Sequence, residues 1–295
     1  MQSLPLLKSG REILTLSIEG STLRILQVVN KQITAWVNLP FNPALLRNGF
    51  IANPKGMAQV IQNALVGKGI YSKGVRAAFP GFQSLSRLIT IPRSREVRPD
   101  QVIPGEARRL MSVSPEVSYL FWQPMISFPG QQSFFTLAVP KAPLEVFIET
   151  LRLTGLRPNR IELKPLVLLK IIDQPNAIIA AVENNSIDIV VVLNWIPMLM
   201  RSLYLGEGAI TAESGPPRLV AELRRTIGFY NDSNPENPLP LETPLYLCGA
   251  LAAEGETALL VEREIGLLPG KLDPKLELPP EFPLGQMAVN LALAI

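Results

Sequence analysis

One pattern, present twice, most constrains how this chain folds. Residues 13–18 and 23–29 are β-rich runs joined by Glu19-Gly20-Ser21-Thr22, and a third run, 33–39, follows the polar turn Asn30-Lys31-Gln32. That is a meander with short hairpin turns. Residues 54–68 then place Met57, Val60, Ile61, Ala64 and Leu65 on one helical stripe, stopped by Gly67 and Gly69, and a short strand occupies 74–79. After Asp173-Gln174-Pro175-Asn176 the same order returns. It comprises strands at 178–182, 187–193 and 197–205, a helix with Leu219, Val220, Leu223, Ile227 and Tyr230 on one side, a strand at 245–248 and a helix at 254–265. A glycine and two hydroxyls beside exposed backbone N–H groups are the parts of a phosphate cradle, although a single such turn is an ordinary hairpin. Repetition is what distinguishes it. Glu19 and Glu183 fall at the same place in each copy, and two copies packed face to face leave a crevice between their turns, where ligands commonly bind.

The segment between the copies differs in character. Residues 85–91 form a strand closed by Pro92, a helix enters at Pro104 and runs to about Met111, and aromatic strands at 118–125 and 133–139 pair across Phe128-Pro129-Gly130-Gln131-Gln132. This is a small α+β unit inserted in the first half, at about 85–139. Pro143 opens a helix with Val146, Phe147, Leu151 and Thr154 inward and Gly155 at its end, and a strand at 160–163 runs into a helix opened by Pro165. The expected division is residues 1–172 and 173–295, with a last helix from about Leu284 returning toward the first domain. At 295 residues a single core would be unusually large.

Composition removes much chemistry. The chain has no histidine and one cysteine, Cys248, which excludes histidine acid–base catalysis, the Ser-His and Cys-His nucleophile pairs and the usual zinc sites. No metal site and no catalytic residue are expected. One cysteine forms no internal disulfide, and the opening Met1-Gln2-Ser3-Leu4-Pro5 lacks a charged region followed by an apolar one, so an intracellular location is expected. The apolar window 187–205 is interrupted by Asp188, Asn194, Pro197 and Arg201, and the apolar tail 287–295 is short of the roughly 20 residues a bilayer requires. A net charge of +3 gives no case for nucleic acid, and Arg93, Arg95, Arg98, Arg108 and Arg109 read as a solvated basic face.

The duplicated pattern fits the α/β actin-like, or Hsp70/sugar-kinase-like, two-domain fold with an inserted α+β subdomain in the first domain. Within it the chain resembles the PilM family of type IV pilus assembly. The resemblance rests on Ser17-Ile18-Glu19-Gly20-Ser21-Thr22-Leu23-Arg24 at the first turn, Leu39-Pro40, Gly49-Phe50-Ile51, Phe79-Pro80-Gly81 and Arg87-Leu88-Ile89-Thr90-Ile91-Pro92. It continues through Glu106-Ala107, Trp122-Gln123, residues 138–141, residues 155–158, Arg201, residues 222–230, Leu247-Cys248-Gly249 and residues 288–294.

The resemblance implies a nucleotide cleft at Ser17, Glu19, Gly20, Ser21, Thr22, Arg24, Glu183, Asn184 and Gly249, and this chain departs from it there. Where actin-like ATPases carry an aspartate and a glycine, the first turn has Ser17 and Glu19; the second is Val182-Glu183-Asn184-Asn185; the adenosine-side glycine pair is Gly249-Ala250. A carboxylate in the cradle repels phosphate. The cleft is therefore expected to be vestigial, with no cofactor and with ATP and magnesium held weakly if at all. Ser17→Asp with Glu19→Gly is expected to raise nucleotide affinity if the rest of the cradle is intact. The implied function is a non-catalytic cytoplasmic platform, peripheral to the inner membrane through its partner, that binds the N-terminal tail of a PilN-like membrane protein. A pilus assembly ATPase or platform proteins are further partners on this reading. The candidate groove residues are Arg87, Ile89, Ile91, Leu120 and Trp122. The alternative is an active nucleotide-dependent ATPase switch in the same machinery, with Glu19 or Glu183 as displaced metal ligands.

Overall fold

The computed structural model describes residues 12–94, 96–206, 208–251 and 255–295. Arg95, Glu254 and the opening Met1 to Pro5 lie outside the described residues. The chain runs β1 (Glu12–Glu19), β2 (Thr22–Val29), β3 (Gln32–Pro40), a two-strand ribbon β4 (Leu46–Arg47) and β5 (Phe50–Ile51), α1 (Pro54–Gly67) and β6 (Gly74–Phe79). Next come β7 (Leu85–Pro92), α2 (Pro99–Met111), β8 (Ser118–Phe128), β9 (Gln131–Pro140), α3 (Lys141–Leu153), β10 (Arg157–Leu163) and α4 (Lys164–Val167). The remainder is β11 (Ala177–Val182), β12 (Ser186–Leu193), β13 (Ile196–Tyr204), α5 (Gly215–Ser233), β14 (Leu245–Cys248), α6 (Gly255–Ile265) and α7 (Leu284–Ala294).

Two sheets carry the duplication. The first has the order β10-β6-β1-β2-β3 and the second β13-β12-β11-β14. In each, the first strand of the meander pairs antiparallel with the second and parallel with the strand that follows the helix. β11 and β12 are buried at every residue, which explains their nearly continuous run of Ile, Val and Ala. α7 lies between the sheets. Its Met287, Leu291 and Ala294 pack on Leu26 and Val28, while Ala288, Val289, Ala292 and Leu293 pack with Ile179, Ala181, Val190 and Val192 of the second sheet. An eleven-residue helix apolar on nearly all sides is the expected form for a helix buried between two layers.

A third sheet, β7-β9-β8, forms the inserted unit, with α2 covering one face through Ile103, Ala107 and Met111. α2 begins at Pro99 rather than Pro104, with Pro104 inside it. The missing proline N–H forfeits one bond to the Asp100 carbonyl in the helix's first turns, a small loss beside the burial of Ile103 and Ala107. β8 and β9 reach closer together than the aromatic pattern indicates, leaving Pro129-Gly130 as a tight turn with Gly130 at φ +75°. The β4-β5 ribbon forms where the sequence indicates only a connection, and the helix expected from Pro165 is a single α-turn continued by a 3-10 helix, Leu168–Ile171.

Candidate functional site

β1 and β2 pair so that Ser17 faces Arg24 and Glu19 faces Thr22. Side chains directly across an antiparallel pair share one face, so Thr15, Ser17, Glu19 and Arg24 all project toward α7 and the second half. From the other side the Glu183 turn follows β11, as the Glu19 turn follows β1. The turns touch. A Cβ built on Gly20, whose φ is +60°, would lie 2.2 Å from Asn184 Oδ1. Gly249, at φ +96°, lies against the Val182 backbone, where a Cβ would come within 2.3 Å of the Val182 carbonyl oxygen. At Gly249 the neighbour is backbone and only glycine fits, whereas a side chain at position 20 would have to displace Asn184.

The crevice between the turns is filled by charge. Arg24 is 1% exposed and makes a bidentate pair with Glu183, Nη1 to Oε1 at 2.8 Å and Nη2 to Oε2 at 2.9 Å. The same Nη1 lies 3.1 Å from Glu19 Oε2, and Nε donates to Asn38 Oδ1 at 3.3 Å. Lys164, 4% exposed at the start of α4, places Nζ 3.0 Å from Asp188 Oδ2 and 3.4 Å from Glu19 Oε2. The Ser17 hydroxyl lies 2.7 Å from Glu19 Oε1 and 2.9 Å from Asn290 Oδ1, so its one proton has two acceptors. Asn290 Nδ2 donates to Thr15 Oγ1 and to the Arg24 carbonyl. The Ala250 N–H donates to Glu183 Oε1 at 3.2 Å.

The electrostatics follow from that count of groups. Three buried carboxylates, Glu19, Glu183 and Asp188, face two buried cations, Arg24 and Lys164. Burial raises the Glu19 carboxyl, but the charges of Arg24 and Lys164 and the Ser17 hydrogen bond outweigh it and hold Glu19 below its ordinary value. Glu183 moves the other way: burial and the Glu19 charge raise it despite Arg24. Burial acts against the charged forms of Arg24 and Lys164, and the surrounding carboxylates more than offset it, so both are held above their ordinary range. Burial, with the Glu19 charge adding, also pushes up the thiol of Cys248, at the end of β14. That thiol is inert in the folded chain.

Of the cleft residues expected from sequence, Ser17, Glu19, Gly20, Arg24, Glu183, Asn184 and Gly249 come together. Ser21 and Thr22 form the outer side of the turn, where the Ser21 carbonyl accepts the Phe41 N–H at 2.9 Å and Thr22 pairs with Pro40. Sequence reasoning missed Lys164, Asp188, Asn38 and Asn290. Asp188 had a visible signal, an acid inside an eight-residue apolar strand. Lys164 had none, since lysine is so rarely buried.

The expected groove residues fall differently. Arg87, Ile89 and Ile91 share one face of β7, and pairing places Leu120 and Trp122 of β8 on that face as well. It is the α2 face. Ile89 and Ile91 are 1% and 3% exposed in the core beneath α2, Leu120 packs against that core, and Arg87 donates to the Leu110 carbonyl at 2.9 Å. Trp122 is about one-third exposed, at 36%. Ile89 and Ile91 are therefore corrected from groove to core: successive strand residues point to opposite faces, and α2 needs an apolar floor. The opposite face opens onto a groove of about 400 Å³ between the inserted sheet and β10 of the first sheet. Phe121, Leu137, Leu144, Ile148, Ile161 and Leu166 line it, with Phe121 52% exposed.

No family model matches the chain, and no curated protein matches it. Solved structures do. A chain of a PilM-PilN type IV pilus biogenesis complex superposes with a TM-score of 0.77 at 22% identity, covering 96% of this chain and 98% of that one. The chain has the actin-like fold. The cytoplasmic domain of EpsL, an inner membrane component of the type II secretion system of Vibrio cholerae, aligns over 97% of this chain and 96% of its own at TM-score 0.55 and 11% identity. A Bacteroides thetaiotaomicron protein with an actin-like ATPase fold and unknown function covers 100% of both chains at TM-score 0.51 and 13% identity.

In an actin-like fold the crevice between the turns is the place for a metal-bound nucleotide. The residues here do not fit one. The cation that phosphate would seek is already in a bidentate pair with Glu183, and the three carboxylates oppose further negative charge. Asn184 stands against the Gly20 backbone that phosphate oxygens would approach. Among the described residues, no three His, Cys, Asp or Glu side chains are grouped to hold a metal ion.

Proposed function

We propose that this chain is a non-catalytic cytoplasmic platform, peripheral to the inner membrane, of a type IV pilus or related secretion machine. It holds the N-terminal tail of a PilN-like membrane protein. The observation that carries the reading is the match, over nearly the whole of both chains, to a structure of a PilM-PilN complex. The likeness to the cytoplasmic domain of EpsL, from a secretion machine, supports the same setting. Among the described residues no helix is long and apolar enough to cross a membrane.

The groove beside Phe121 suits such a tail. Its lining is aliphatic and aromatic, and one rim is the backbone of β10, the outermost strand of the first sheet. An extended peptide there gains main-chain hydrogen bonds from the strand edge and affinity from apolar side chains seated every second residue. Glu162, also on the groove, is engaged by Lys170 at 2.7 Å and leaves the floor apolar. A calorimetric titration with the tail peptide of a PilN-like protein from the same operon tests this. Wild type is expected to bind and Phe121→Glu to lose binding while staying folded; equal binding by both removes this groove.

A further inference from the structure

The charged cluster between the turns spans residues from four separated stretches. Glu19 and Arg24 belong to the first sheet, Lys164 to α4, Glu183 to the turn after β11, Asp188 to β12, and Asn290 to α7. In a hinged two-domain fold, contacts of this kind set the angle between the halves, and a ligand in the crevice is one means of supplying them. Here the chain supplies them. We infer that the Arg24–Glu183 pair, with Lys164, Glu19 and Asp188, is an internal substitute for a bound nucleotide that holds the two domains permanently closed. This extends the non-catalytic half of the reading above.

Three further contacts support closure. The Gly20 backbone lies against Asn184. A Cβ at Gly81, in the loop after β6, would lie 2.1 Å from Ser202 Oγ on β13. The rings of Phe82 and Tyr204 meet edge to face with centroids 5.6 Å apart. Each joins the first half to the second at the level of the cluster. Opening the crevice by a few ångströms would break the Arg24–Glu183 pair, the Lys164–Asp188 contact and the Phe82–Tyr204 ring contact together. A nucleotide that binds neither form better shifts nothing.

Amide hydrogen exchange of the whole chain tests the inference. The Leu251 N–H, bonded to the Val182 carbonyl at 3.1 Å, the Ala250 N–H on Glu183 and the Leu205 N–H on the Asn185 carbonyl report on the second turn. The expected result is slow exchange at all three without nucleotide, unchanged by millimolar ATP with magnesium. Arg24→Gln combined with Glu183→Gln keeps the approximate shapes and removes the pair. In it the three amides are expected to exchange at least roughly tenfold faster, while the β11 and β12 amides stay protected. Fast exchange in wild type, protection conferred by nucleotide, or unaltered exchange in the folded double variant would each overturn the inference. If the double variant fails to fold, the wild-type comparison with and without nucleotide still decides. Loss of the latch would leave tail binding to be measured independently at the Phe121 groove, so the two readings fail separately.

Discussion

Replacing Arg24 by methionine removes the cation on which the crevice converges. Its guanidinium satisfies Glu183 at 2.8 and 2.9 Å and Glu19 at 3.1 Å, all at sites 2% exposed or less. Afterwards Glu19, Glu183 and Asp188 would face Lys164 alone, raising the local excess from one negative charge to two. Breaking a buried pair by deleting one partner costs about 3–5 kcal/mol. For 295 residues unfolding as one unit, an entropy near 2.1 cal/mol/K per residue converts this to a fall in Tm of roughly 5–8 °C. Adding Glu183→Gln returns the excess to its original value. The double variant should therefore recover part of the loss, with a coupling of roughly 0.5–3 kcal/mol in the cycle. Urea unfolding of wild type, both single variants and the double variant measures all four corners. An Arg24→Met variant within about 1 kcal/mol of wild type, the range of a solvated surface pair, would refute the argument.

Glu19 and Glu183 should show opposite pH signatures. The folded-state value of Glu19 is depressed, so its stabilisation is present above the ordinary glutamate value of 4.5 and is lost as pH falls through the folded value. That of Glu183 is raised, so the folded form holds the proton more tightly and stability falls as pH rises from 4.5 through the folded value. Glu183→Gln should thus gain on wild type as pH rises above 4.5, and Glu19→Gln should be the more destabilised of the two at neutral pH; urea midpoints across pH 4 to 8 check both. Ser17→Asp with Glu19→Gly should leave ATP with magnesium undetected by calorimetry, because Asn184 and the Arg24–Glu183 pair still fill the crevice. Ile89→Asp should unfold the inserted unit, seen as loss of aromatic near-ultraviolet dichroism, whereas Phe121→Glu should not.

The fold was legible because the two meanders are written in strong local signals. Alternating or continuous apolar runs, polar turns at Glu19 and Glu183, and a helix stopped at Gly67 each specify an element without help from elsewhere. The acidic turns themselves were read as damage to a phosphate cradle. What they do positively was not legible, because Lys164, Asp188 and Asn290 reach the same point from 145, 169 and 271 residues beyond Glu19, and no local pattern encodes such a meeting. The burial of Ile89 and Ile91 was hidden for another reason. The hairpin was identified, but which alternate set of residues faces α2 is a parity choice, and a one-residue difference exchanges Leu120 and Trp122 for Tyr119 and Phe121.

On the proposed reading, a membrane protein's tail docks on a domain pair that closes without nucleotide. Calorimetric titration of the PilN-like tail peptide into the wild-type chain, with and without ATP and magnesium, tests it most directly. Saturable one-to-one binding with the same Kd in both conditions is the expected result. Binding that requires or strengthens with nucleotide would contradict the closed, nucleotide-independent state, and no binding in either condition would contradict the platform itself.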